Sequence, residues 1–180
     1  MIVIRNAETA DAKRLLEIYD YYVQHTAITF EYDTPSLEEF ETRIQKTRER
    51  YPYLVIEKDG EIKGYAYAGV FYDRRAYDWS CEMSIYLDQS SKKRGMGRVL
   101  YEALEEKLKN MGILNLYACV AYPIIEDEYL TTNSAAFHEH LGFKTVGEFH
   151  QCGYKFNRWY NMIWMEKIIG EHENIMPQIF

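Results

Sequence analysis

The sequence predicts a mixed α/β domain, one sheet with helices on both of its faces. Three observations predict it. Strand-like and helical apolar patterns alternate in the order strand, two helices, three strands, helix, strand, helix, two strands. Hairpins at both ends flank a strand–helix–strand centre, which mixes antiparallel pairing with a crossover. The chain has 180 residues, 47% of them hydrophobic and 27% charged, which suits one globular domain with a real core.

The elements follow in order. Ile2-Val3-Ile4 reads as a short strand. Thr9 is placed to cap the next helix, with Asp11 in its first turn and Leu15, Leu16, Ile18, Tyr19, Tyr22 and Val23 as its apolar stripe. After a loop or extended piece at 27–32, Ser36-Leu37-Glu38-Glu39 is a capping box, so a second helix runs to about Arg50. Tyr53-Leu54-Val55-Ile56-Glu57, the Asp59-Gly60 turn and a return strand from 62 to about 71 form a hairpin. A strand from about 79 to 87 leads through a basic loop into a helix that Gly112 stops after Met111. The segment 114–120 is the next strand, and 123–130 is acidic and irregular. A helix from Asn133-Ser134 to Gly142 and two strands joined around Gly153 complete the pattern. The expected organisation is a single domain over residues 1–170 and a tail of 171–180.

Composition bounds the function. The net charge is −7, which disfavours nucleic acid as a partner. No apolar run long enough to span a membrane occurs, and the N-terminus lacks a signal-peptide layout. Cys81, Cys119 and Cys152 are odd in number and widely spaced, the pattern of reduced thiols in a cytoplasmic protein. No spacing of His and Cys points to a metal. Seventeen tyrosines belong in the core or in pocket walls.

Against this acidic background, Lys92-Lys93-Arg94-Gly95-Met96-Gly97-Arg98 holds four cations and two glycines between a strand and a helix. A helix start carries unpaired N–H groups and a partial positive charge, and glycines let an anion approach them. The segment therefore reads as a phosphate or pyrophosphate cradle, or as a basic loop closed by a flexible glycine turn. Glu82 stands mid-strand in an otherwise apolar run, so it faces solvent, is paired for structure, or belongs to a site. His138, by itself, reads as a surface or satisfied structural histidine. Arg74 and Arg75 are either a solvated loop or a carboxylate anchor.

Arg94-Gly95-Met96-Gly97-Arg98 resembles the coenzyme A pyrophosphate loop of the GNAT superfamily of N-acetyltransferases, with Lys92 where that pattern usually has Gln or Arg. Four further blocks occur in family order: Ala76-Tyr77-Asp78-Trp79-Ser80-Cys81-Glu82, Leu100-Tyr101-Glu102-Ala103-Leu104, His138-Glu139-His140-Leu141-Gly142-Phe143, and Val146-Gly147-Glu148-Phe149 with Gly153-Tyr154-Lys155-Phe156-Asn157-Arg158-Trp159. Together they are similar to the phosphinothricin and amino-acid N-acetyltransferase branch, over roughly residues 2–167. The resemblance implies a GNAT-like central, mostly antiparallel sheet that splays open around acetyl-CoA, with direct acetyl transfer to a small primary amine in a ternary complex. It implies no metal.

The same resemblance implies residue roles. Glu82 is the general base, acting directly or through water, and His138 a thiolate acid or thiol-orienting group. Ile85, Tyr86 and Leu87 offer strand backbone to the acetyl carbonyl and pantetheine arm. Lys93, Arg94, Gly95, Met96, Gly97 and Arg98 hold the pyrophosphate. The family asparagine position is Thr131 here, so Asn133 is the candidate to take its place, with Ser134 capping the helix and touching the cofactor. Asn157 replaces a branch glycine and tolerates a left-handed backbone. Arg74 and Tyr77, with Phe30 opposite, are the acceptor-pocket candidates. A homodimer is implied. The alternatives are a protein or peptide N-acetyltransferase and a non-catalytic acyl-CoA-binding sensor.

Overall fold

A computed structural model describes residues 1–91 and 95–179. Its elements are β1 (Ile2–Asn6), α1 (Ala12–His25), α2 (Leu37–Arg48), β2 (Tyr53–Lys58), β3 (Glu61–Val70), β4 (Ser80–Leu87), α3 (Met96–Asn110), β5 (Asn115–Tyr122), α4 (Asn133–His140), β6 (Lys144–Lys155) and β7 (Arg158–Ile168). Order and type match the sequence reading, and the mixed, mostly antiparallel α/β class holds.

The contacts fall into two units. The first comprises Met1–Ile18, Pro35–Leu116 and Ile168–Phe180. In it β1, β2, β3 and β4 pair antiparallel in sequence order. Side chains alternate across these strands. One face carries Tyr53, Tyr65 and Tyr67, stacked with centroids 4.7–6.3 Å apart, and Phe40 of α2 meets Tyr65 edge-on. The other face is built of Leu54, Ile56, Ala66, Ala68, Cys81 and Met83, all buried. Helix α3 packs on β2 and β3 and buries Leu100, Tyr101, Leu104 and Leu108.

Two helix starts illustrate local control. Ser36 caps α2 as its capping-box sequence predicts, its hydroxyl accepting from the Glu39 N–H at 3.1 Å. The helix ends at Arg48 rather than Arg50. Thr9 does not cap α1: Glu8 caps a 3₁₀ turn at Thr9–Asp11, and Asp11 accepts its N–H at 2.7 Å. Arg5 fixes that carboxylate with two bonds of 2.7 and 2.9 Å, a tie between β1 and the turn that helix-end rules do not contain. The tail has no regular element among the described residues, but the Trp79 indole N–H donates to the Pro177 carbonyl at 3.1 Å.

The second unit comprises Tyr19–Thr34 and Tyr117–Lys167, with its strands in the order β5, β7, β6. The β6–β7 hairpin turns at Phe156-Asn157, both left-handed with φ of 52° and 58°, and not around Gly153, which pairs with Tyr160 inside the ladder. Asn157 supplies one positive φ as expected. Phe156 supplies the other, an uncommon conformation for a bulky residue, while its ring stacks on Tyr129 at 4.0 Å.

The irregular acidic segment is an ordered clasp. Glu126 accepts from the Thr132 N–H and hydroxyl, both at 2.8 Å, at the start of α4. Asp127 accepts from the Tyr129 and Leu130 N–H groups and the Tyr160 hydroxyl at 2.8, 2.9 and 2.8 Å. Glu128 pairs with both terminal nitrogens of Arg158 at 2.8 and 2.9 Å.

Candidate active site

Glu82 lies on β4 directly opposite Gly69 of β3, the second-last pair before the 71–79 connection. Partners across a strand pair share a face, so Glu82, Gly69, Ser84 and Tyr67 lie together. A Cβ built on Gly69 would meet nothing within 4 Å. The Glu82 carboxylate is half-buried and forms no hydrogen bond or ion pair with a described residue. Burial raises its pKa above the ordinary carboxylate value. The result is a proton acceptor with open space beside it.

The neighbouring Cys81 points to the opposite face, where burial, with Glu82 adding, pushes its thiol up to about 12. A thiol so disfavoured as thiolate is a poor nucleophile.

Ile85, Tyr86 and Leu87 continue β4, paired with Ala66, Tyr65 and Gly64 and half-buried. Alternate residues of a ladder strand turn their backbone groups away from a given neighbour, so this stretch has groups directed away from β3. Lys93 and Arg94 lie outside the described residues. Gly95 precedes α3 with φ 75°, a left-handed conformation that glycine adopts freely. Met96, Gly97 and Arg98 then form the first helical turn, whose N–H groups have no partners within the helix. Such a start, opened by a glycine whose absent Cβ would meet no described atom within 4 Å, fits a pyrophosphate. The Arg98 side chain pairs with Glu102, its Nε donating at 2.7 Å.

In the connection from β3 to β4, Arg74 is exposed and forms no ion pair with a described residue. Tyr77 packs with Phe71 and Tyr72, centroids 5.9 and 5.4 Å away. Arg74, Tyr77, Gly69 and Glu82 thus share one end of the β3–β4 pair.

In the second unit, His138 of α4 is only 4% exposed. Its Nδ1 lies 2.7 Å from the Ser134 carbonyl, and Phe137 and Phe143 meet its ring edge-on at 5.4 and 5.3 Å. The carbonyl fixes the proton on Nδ1. Burial lowers the pKa, with the carbonyl opposing, so the ring is neutral at pH 7. The N-cap position of α4 is Thr132, not Ser134; its side chain makes no capping bond and donates instead to Glu126 at 2.8 Å. Asn133 is exposed, its N–H donating to Thr131 Oγ1 at 3.3 Å. His140 is exposed and bonded to its own helix, at 2.7 Å from the Ala136 carbonyl. Phe30 packs on the buried Ala27, Ala121, Leu130 and Tyr160.

Sequence reasoning missed two residues here. Gly69 carried no signal, since its importance lies in its partner. Lys155 was legible only as part of a family block, yet its Nζ is buried against three carbonyl oxygens.

Residues 4–164 match the acetyltransferase (GNAT) domain family. A phosphinothricin N-acetyltransferase of Streptomyces coelicolor is 31% identical over 92% of this chain and 95% of its own length. An L-methionine sulfoximine/L-methionine sulfone acetyltransferase of Salmonella typhimurium is 29% identical over 95% and 96%. The crystal structure of a phosphinothricin acetyltransferase from Sinorhizobium meliloti, in complex with acetyl-CoA, is 30% identical, with a TM-score of 0.89 over 98% of this chain and 93% of that one.

Proposed function

The chain belongs to the GNAT acetyltransferase family and is an acetyl-CoA-dependent N-acetyltransferase, and from that premise we propose that its acceptor is a small carboxylate-bearing primary amine, an amino acid or an analogue of the phosphinothricin or methionine sulfone type. The carrying observation is the half-buried Glu82 carboxylate opposite Gly69, with no hydrogen-bond or ion-pair partner among the described residues. Acetyl-CoA supplies the thioester carbonyl. Glu82 takes a proton from the acceptor ammonium, directly or through water, and frees its lone pair for attack. A backbone N–H of the Ile85–Tyr86–Leu87 stretch stabilises the developing oxyanion. The start of α3, from Gly95 through Arg98, holds the pyrophosphate, with Lys93 and Arg94 as further ligands and Asn133 and Ser134 assisting on the cofactor side. As the tetrahedral adduct collapses, the C–S bond breaks and the departing thiolate takes up the second proton that the attacking nitrogen releases; His138, neutral and fixed through Nδ1, orients that sulfur and holds no proton of its own to give it at pH 7.

Arg74 anchors the acceptor carboxylate, flanked by Tyr77 and with Phe30 as a further wall. An amino acid and its decarboxylated amine, compared by coenzyme A thiol release, are expected to differ in KM by about 10- to 100-fold, the range of a charge-assisted bidentate contact. The difference should vanish in Arg74→Ala. Equal KM values for the two amines in the wild type would remove the carboxylate from the reading.

Gly69→Val tests the open side of Glu82. The added Cβ meets nothing within 4 Å, and valine suits a strand. Stability and acetyl-CoA affinity are therefore expected to stay near wild type, while acceptor KM rises about tenfold or more as the space fills, an order set by a few buried methyl groups. Unchanged acceptor KM would place the amine elsewhere.

The wider reading is a cytoplasmic homodimer, with one catalytic domain over residues 1–170 and a C-terminal tail. Three free cysteines support the compartment. Exposed Val146, Phe149 and Trp159 on β6 and β7 support self-association, which light scattering of the purified chain would check.

A further inference from the structure

We propose that Lys155 is a positioning residue for acceptor binding: its ammonium holds the connection between α1 and α2 in the conformation that presents Phe30 and Glu31. This inference rests on the small-amine reading above, in which that connection forms part of the acceptor site.

Lys155 ends β6 and is 4% exposed. Its Nζ donates to the carbonyls of Val23, Thr26 and Thr29 at 2.8, 2.8 and 2.9 Å. An ammonium has three N–H bonds and no acceptor capacity, so each is used once, and among the described residues no carboxylate is bonded to it. Val23 lies in the last turn of α1 and Thr26 just beyond it, where helix carbonyls lack intrahelical donors. Thr29 is three residues further along the connection. One side chain therefore ties the helix end to the loop through backbone atoms alone, and fixes the path of the chain into Phe30.

The residues around it converge on the same segment. The Tyr19 hydroxyl bonds Thr29 Oγ1 at 2.8 Å and also the Glu31 carboxylate. The Ala27 N–H donates to the Tyr129 carbonyl at 3.0 Å, and the Tyr32 hydroxyl to the Tyr154 carbonyl. The Phe30 ring fills the place of a side chain at Gly153, where a Cβ would stand 2.4 Å from it. So Gly153, Tyr154 and Lys155, consecutive on β6, seat Phe30, Tyr32 and the loop carbonyls in turn. Burying a cation without an ion pair is costly. A core built for stability alone is served as well by an apolar residue, whereas an apolar residue here leaves three carbonyls unpaired and the loop path unspecified. Burial lowers the Lys155 pKa to about 8, with the charge of Glu31 opposing.

The test is Lys155→Met in the full-length chain, with acceptor KM, kcat at saturating acetyl-CoA and acetyl-CoA affinity measured separately. The expected result is acceptor KM raised about tenfold or more, with kcat within about threefold and acetyl-CoA affinity unchanged, because the loss falls on acceptor placement. Unchanged acceptor KM in folded Lys155→Met overturns the proposal, and so does a parallel loss of kcat and acetyl-CoA binding, which marks a merely structural role. If Lys155→Met does not fold, wild-type inhibition by the N-acetylated product decides, since that ligand carries no amine to titrate. Inhibition should weaken as pH rises through about 8, where the neutral amine keeps two N–H bonds for three carbonyls; pH-independent inhibition from 7 to about 9 overturns the proposal. A wild-type enzyme inactive toward every small amine instead overturns the functional reading, and the role of Lys155 with it.

Discussion

Glu82→Gln is expected to lower kcat by about 10²- to 10⁴-fold, the usual contribution of a positioned general base, while acetyl-CoA still binds. The isosteric amide keeps the strand and the space opposite Gly69 and removes only the proton acceptor. The pH profile gives a second readout. Transfer needs ionised Glu82, and burial raises its pKa. The wild-type rate should therefore fall with decreasing pH at a value above the ordinary carboxylate range of about 4.3, and that limb should be missing in the variant. The sign for stability is opposite. A carboxylate whose folded pKa is raised favours folding when protonated, and that contribution is lost as pH rises through the folded pKa. At neutral pH the charged Glu82 thus opposes folding, and Glu82→Gln should melt at or above the wild-type temperature. A variant slower yet no less stable is the signature of a site residue; wild-type turnover in Glu82→Gln would remove Glu82 as base.

Asp127→Ala is expected to cause the largest loss of stability. It leaves the Tyr160 hydroxyl and the Tyr129 and Leu130 N–H groups without their acceptor. Several donors left unmet in a mostly buried place cost about 2–4 kcal/mol together. For a chain of this size that is a fall of roughly 5–15 °C in Tm. The pH dependence is fixed in sign. Burial works against the charge of Asp127, but hydrogen bonds from Tyr160, the Tyr129 N–H and Arg158 outweigh it and lower its pKa. Its contribution is therefore present above the unfolded carboxyl pKa and lost as pH falls through the folded value, below about 4. Thermal melts of wild type and Asp127→Ala should draw closer together as pH falls below about 4. A Tm within about 2 °C of wild type at pH 7, less than 1 kcal/mol, would show that the clasp around 123–130 holds nothing in place.

The elements were legible because their causes are local. Apolar spacing, the Ser36 capping box and the Asp59-Gly60 turn act within a few residues. So does the glycine at the start of α3. Glu82 stood out because a carboxylate in an apolar strand needs a reason. What the sequence hid depends on distant partners. The space beside Glu82 is set by the register that places Gly69 opposite it. The work of Lys155 involves carbonyls 126 to 132 residues away. The hairpin turns at Phe156 rather than at Gly153, and Phe156 stacks on Tyr129 of the acidic segment. His138 was visible as a family position, but its burial against Phe137 and Phe143 is set by packing that the sequence does not display.

Acetyl transfer to a small carboxylate-bearing amine releases coenzyme A with a free thiol. The most direct measurement is release of coenzyme A thiol from acetyl-CoA over a panel of amino acids, their sulfone and phosphinate analogues, polyamines and short peptides. Rapid release is expected with at least one amino acid or analogue and none above background with polyamines. Silence toward every small amine, with acetyl-CoA still bound in a parallel titration or with release confined to peptides, would contradict it.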